Sequence, residues 1–178
     1  MHGCRPLTDS QIDSIKFETL RDRALFVLGL KTGFRISELL SLRVRDVTDR
    51  VTVARRNMKG KKESRSVALH PVARDLLAEH IAVSGLSDSD WLFPSRTRGR
   101  PLSARRAQKI VQDALVAIDH SGPTGTHTMR KTFAQKVHRA LDRDLLKTRA
   151  ALGHKDINST VQYLSFETEE VDEAVLSI

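Results

Sequence analysis

Four short stretches of the sequence hold side chains that bind anions or move protons. In Thr32-Gly33-Phe34-Arg35-Ile36-Ser37-Glu38-Leu39, Arg35 stands at a helix start with Glu38 one turn later. His127 and Arg130 are spaced i and i+3, which puts them on one helical face. His154 follows Leu152-Gly153 at the end of a helix, and Tyr163 comes nine residues later on the next expected helix. A guanidinium is planar, permanently charged and bidentate toward oxyanions. A phenol, with a pKa of about 10, is a weak nucleophile until a neighbour stabilises its phenolate. Singly these pieces have plain structural readings: a helix stop and restart, a chance pair, a C-cap and a packed ring. Their common chemistry lies in the set.

The elements that must position this set are mostly helices. Thr8 with Gln11 forms a capping-box pattern that opens a first helix, running to about Phe17. A second helix spans about Leu20 to Lys31 and stops at Gly33, and a short third covers about Ser37 to Leu42. The pattern then turns to period two, predicting antiparallel strands at Val51–Ala54 and Arg65–Leu69, with a short strand at Val47. A turn loaded with positive charge, Asn57–Lys62, joins them. Helical pattern resumes after Pro71, with Val72, Leu76, Leu77 and Ile81 on one face. A longer helix spans Ser103 to Asp119, another starts near His127, and two more cover about Asp142–Leu152 and Ile157–Leu164. Val171, Ala174, Val175 and Ile178 make one apolar stripe on a last helix, Thr168–Ile178. Mainly α with a small antiparallel β-sheet is the expected fold class.

Charge narrows the partners. The 178 residues carry 30 Lys+Arg against 22 Asp+Glu, a net charge of +8. Between Arg43 and Arg65, nine basic residues face three acids, and between Arg96 and Lys109 six face none. Five acids between Glu167 and Glu173 follow the last basic residue, Lys155. Two basic segments and an acidic tail fit a nucleic-acid cleft. A chain of this length with 39% hydrophobic residues has enough for one domain with a real core. The longest apolar run, Ala24–Leu30, is too short to span a membrane, and the N-terminus has no signal-peptide pattern. One cysteine, Cys4, makes neither a disulfide nor a metal cluster. The expectation is a cytoplasmic protein, and His2, His70, His80, His120 and His138 read as surface or packing residues.

In this order the motifs resemble the catalytic domain of the tyrosine recombinase (phage integrase-type) family. The resemblance runs from about Leu7 to the C-terminus through Arg35-Ile-Ser-Glu38, the Lys59-Gly-Lys hairpin, Trp91-Leu-Phe-Pro-Ser, His127-x-x-Arg130, Leu-Gly-His154 and Tyr163. Lys131 departs from the pattern, since members commonly have a second His after that Arg. The implied organisation is a short tail, 1–7, and a DNA breaking-rejoining domain, 8–178, whose last helix docks on a neighbouring protomer or folds back on its own core. The family's separate N-terminal core-binding domain is expected to be absent, as in a fragment or in its short members.

The resemblance implies roles. Tyr163 attacks the scissile phosphate, and Arg35 and Arg130 neutralise its oxygens. Lys59 protonates the leaving 5′ oxygen, with Lys61 and Lys62 as substitutes. His127 acts as base or phosphate ligand, His154 bonds a non-bridging oxygen, and Glu38 orients the set. Arg55, Arg56, Lys61, Lys62, Arg105 and Arg106 are the expected DNA-binding residues. Double-stranded DNA and other protomers, four per synapse, are the implied partners, with no metal, cofactor or membrane. A type IB topoisomerase-like relaxing enzyme and a non-catalytic DNA-binding module are the alternatives.

Overall fold

Thr8 begins the first helix as expected: its hydroxyl accepts from the Gln11 N–H, and the Gln11 side chain accepts from the Thr8 N–H. The computed structural model describes residues 4–58, 64–97, 99–164 and 175–177. Two compact units divide the chain, Met1–Phe133 and Ala134–Ile178.

In the first unit α1 (Asp9–Ser14) is shorter than its sequence pattern, because Ile15 is already extended. Helix α2 (Leu20–Thr32) is the centre of the core, with Ala24, Leu25, Phe26, Leu28 and Leu30 all buried. It packs against α3 (Ile36–Leu39), α4 (Pro71–Ser84) and α5 (Ala104–Val116). Its middle, Ala24–Leu30, is apolar around the helix, as an enclosed segment requires, whereas Arg23 near its start is exposed. Strands β1 (Arg50–Val53) and β2 (Arg65–Ala68) pair antiparallel, Val51 opposite Val67, and Val47 adds a single bridge to Val51. Turns of 3-10 helix cover Val44–Asp46 and Arg55–Asn57.

Val72 corrects the sequence reading of α4: it is exposed, and the buried face is Ala73, Leu76, Leu77 and His80. Pro71 opens the helix and sets its phase, and His80 takes an inward position that an apolar pattern cannot mark. The His80 Nε2–H donates to the Leu92 carbonyl at 2.8 Å, and its ring stacks on Phe93.

Helix α6 (Thr126–Ala140) begins in the first unit and continues into the second. Its Met129 Sδ lies where a Cβ on Gly29 would be only 2.6 Å away, so Gly29 lets α6 approach the last turn of α2. The second unit holds α7 (Leu145–Leu152) and α8 (Ile157–Val161). Tyr163, expected on a helix reaching Leu164, stands in the turn just after α8. Of the expected C-terminal helix, Val175 and Leu176 are helical and exposed. Val171, Ala174 and Ile178 lie outside the described residues.

Candidate active site

In the first unit, a group of candidate residues is built on the end of α2. Gly33 closes that helix in the left-handed conformation, φ 59° and ψ 21°, its N–H donating to the Gly29 carbonyl at 3.0 Å. Thr32 is fully buried and donates its hydroxyl to the Leu28 carbonyl at 2.7 Å. The chain then reverses into α3, with Arg35 as its N-cap. Glu38 reaches back across this short helix: one carboxylate oxygen accepts from the Arg35 N–H at 2.8 Å, the other from Arg35 Nη1 at 3.1 Å. The Glu38 side chain is 3% exposed and that of Arg35 41%. Glu38 is therefore no surface ion pair but a buried brace that holds Arg35 by backbone and guanidinium together, with the head of Arg35 still reaching solvent.

Arg130, on α6, is 1% exposed, and its Nη1 donates to the Gly33 carbonyl. His127, one turn earlier, is exposed. Its pKa lies below the usual 6.5, first because the surrounding protein removes part of the water around the ring and then because Arg130, Arg35 and Lys131 repel a positive charge on it. The imidazole is thus neutral at pH 7 and able to accept a proton.

Arg65 is the residue that sequence reasoning missed, counting it only toward charge. From β2 its Nη2 donates to the Thr32 carbonyl at 2.9 Å, and its guanidinium lies 4.6 Å over the Phe34 ring. Burial, then Arg130, lowers its pKa to about 9, Glu38 and Arg35 acting in opposite senses, so it stays charged at neutral pH. The signal was parity: Arg65 and Val67 alternate with exposed Ser66 and Ala68, so the cation occupies an inward position of the strand.

The second unit holds its own group of candidate residues. Gly153 ends α7 in the left-handed conformation, and the N–H of His154 donates to the Arg149 carbonyl at 3.1 Å. His154 is buried, and its Nδ1 is 2.9 Å from the Thr160 hydroxyl. The half-buried Tyr163 places its ring centroid 5.3 Å from that imidazole, tilted by 47°. The Thr160 hydroxyl thus holds the Nδ1 edge of the imidazole, and the phenol ring lies beside it.

Within the first unit the structure brings together Arg35, Glu38, His127 and Arg130, and within the second His154 and Tyr163. Lys59, Lys61 and Lys62 lie outside the described residues. Arg55 and Arg56 are exposed on their 3-10 turn, and Arg105 and Arg106 are exposed on the first turn of α5. Arg106 lines a cleft shared with Glu18 and Asp22. Among the described residues no three His, Cys, Asp or Glu side chains are grouped to hold a metal ion, and no helix is long and apolar enough to cross a membrane.

Residues 8–170 match the sequence model of the Phage integrase family. The chain is 26% identical over 174 residues to the probable integrase/recombinase YoeC of Bacillus subtilis, covering 95% of this chain and 93% of that protein. It is 32% identical over 161 residues to tyrosine recombinase XerD of Vibrio vulnificus, covering 85% of this chain and 51% of XerD. A crystal structure of XerH site-specific recombinase bound to a palindromic difH substrate, in a post-cleavage complex, superposes with a TM-score of 0.78. Identity there is 26%, over 96% of this chain and 51% of XerH. The chain thus spans about half the length of the Xer proteins it resembles.

Proposed function

Since the chain belongs to the phage integrase family, we propose that it is a site-specific recombinase that cuts and rejoins double-stranded DNA through a 3′-phosphotyrosyl intermediate. The observation that carries this reading is the placement of Tyr163, the one tyrosine of the chain, with its ring 5.3 Å from an imidazole whose other edge is held by Thr160.

The chemistry is a transesterification. Tyr163 Oη loses its proton and attacks phosphorus; the P–Oη bond forms as the bond from phosphorus to the 5′ oxygen breaks. His127, neutral at pH 7, accepts the phenol proton or bonds the phosphate. Lys59 protonates the departing 5′ oxygen. Arg35 and Arg130 neutralise the charge that gathers on the non-bridging oxygens, a contribution whose loss typically costs on the order of 10²–10³ in rate. His154 bonds a non-bridging oxygen, and Glu38 holds Arg35 for its task. One ester replaces another, so a 5′ hydroxyl from a partner duplex reverses the step and joins new ends. Exchange between two duplexes needs four strand cuts, which assigns one protomer to each in a tetrameric, DNA-associated synapse. Arg55, Arg56, Lys61, Lys62, Arg105 and Arg106 contact the backbone. Relaxation of supercoils, as by a type IB topoisomerase, is not favoured, because the relatives bear recombinase and integrase names.

The test is a library of nicked suicide duplexes with randomised sequence, incubated with the protein at low salt. Each phosphate contact releases about 0.9 counterion, so low salt strengthens binding. A detergent-resistant protein–DNA adduct is expected, and sequencing the trapped duplexes yields the site. Tyr163→Phe should yield none. Absence of any adduct with the wild-type chain overturns the covalent reaction and leaves a DNA-binding module.

A further inference from the structure

We infer that Arg65 is a positioning residue of the active site: from strand β2 it holds the turn that presents Arg35, and with Arg130 it neutralises the end of α2 where the phosphate must come. The inference rests on the recombinase reading above and assigns to that site a residue outside the set Arg35, Lys59, His127, Arg130, His154 and Tyr163.

Three observations converge. Each of the three residues before Arg35 is held by a guanidinium. Thr32 gives its carbonyl to Arg65, Gly33 gives its carbonyl to Arg130, and the Phe34 ring lies under Arg65. Phe34 is 1% exposed and Thr32 0%, so the turn is packed from beneath as well as tied from above. Second, the two carbonyls are those of the last residue of α2 and its C-cap. The end of a helix carries unsatisfied carbonyls and roughly half a negative charge, which would repel a phosphate. Two guanidiniums on adjacent carbonyls reverse that sign. Third, the local balance is three arginines, Arg35, Arg65 and Arg130, against the one carboxylate of Glu38, a net positive site built for an anion.

A stacked, forked cation at this point is not interchangeable with lysine. Arg65→Ala frees the Thr32 carbonyl and unweights the Phe34 ring. Arg65→Lys keeps the charge without the fork or the flat stacking face, and it serves if the alanine variant fails to fold. The first measurement is the side-chain Nε–Hε spectrum of Arg35 and Arg130 in the chain without DNA. Both signals should move in each variant while the backbone fingerprint away from the turn stays. The second uses the duplex recovered from the library. Adduct formation in a single turnover should slow by about 10–100-fold, the usual cost of losing a supporting partner of a functional group. The salt dependence of DNA binding should keep its slope, whereas loss of a direct phosphate contact lowers the slope by about 0.9.

Unmoved Arg35 and Arg130 signals overturn the inference, as does an Arg65→Lys protein that cleaves at the wild-type rate, since charge alone would then suffice. A salt slope reduced by one contact also overturns it, making Arg65 a DNA ligand. If the wild-type chain forms no adduct with any duplex, the recombinase reading fails. The side-chain spectra then decide by themselves whether Arg65 holds the turn.

Discussion

Gly33→Ala tests the turn on which the arginines depend. An L-residue held at φ 59° costs about 1–2 kcal/mol relative to glycine. The new methyl would also stand 2.3 Å from Cδ1 of Phe133, 2.8 Å from Cγ and 2.9 Å from Cε1, where ordinary contact begins at 3.4 Å. The half-buried ring must therefore move by about 1 Å, an overpacking cost of about 1–3 kcal/mol. Together these predict a loss of about 2–5 kcal/mol, and at about 2–4 °C per kcal/mol for a chain of this size, a Tm lower by about 4–20 °C. Thermal melts of four proteins separate the two parts: wild type, Gly33→Ala, Phe133→Ala and the double variant. In the Phe133→Ala background the overlap is gone and only the backbone part should remain. A Gly33→Ala protein that melts within about 2 °C of wild type, or an alanine penalty the same with and without the Phe133 ring, refutes the reasoning.

Thr160→Val removes the hydroxyl from the buried His154 Nδ1 and should slow adduct formation by about 10–100-fold while Thr160→Ser restores it; equal rates for valine and serine would deny the bond a role. Because His127 titrates below 6.5, the acid limb of adduct formation should fall below pH 6.5 in a pH–rate profile, and a midpoint at 7 or above would exclude it as the neutral acceptor. Burial first of all lowers the pKa of His70, His80, His127 and His138, so below pH 6.5 the unfolded chain takes up protons that the folded one refuses. Stability is then complete above pH 6.5 and falls as the pH drops through the lower folded values, so Tm should decline from pH 7 to pH 5; a constant Tm over that range contradicts it.

Helix ends were the most legible part of the fold, because they are written in single residues. Thr8 and Gln11 close the capping box they announce, and Gly33 and Gly153 end α2 and α7 in the left-handed conformation only glycine adopts freely. Packing phase was less legible. Val72 fits an apolar stripe on paper, but Pro71 fixes where the helix starts, and a histidine satisfied by a carbonyl takes the inward place. The third helix is shorter than its leucines suggest, since Leu40 and Leu42 are buried without being helical. Among the candidate residues, Arg35, Arg130, His154 and Tyr163 stand out by type and spacing. Arg65 does not, because a cation under a strand is recognisable only once Phe34 and the Thr32 carbonyl are known to face it.

The arginine anchors also bear on how the site can drift. Arg65 and Arg130 are tied to main-chain oxygens, and every amino acid supplies one, so no replacement of the side chain at position 32 or 33 deletes an acceptor. Such anchoring is indifferent to most codon changes beneath it. It fails by two routes: loss of an arginine, or a rotation of the peptide planes that turns the oxygens elsewhere. The second route runs through Gly33, whose positive φ sets those planes. The two acceptors thus survive a substitution at Thr32, although the Thr32 hydroxyl itself bonds the Leu28 carbonyl and the Phe34 N–H, while the glycine is a point of failure although it contributes no functional side chain.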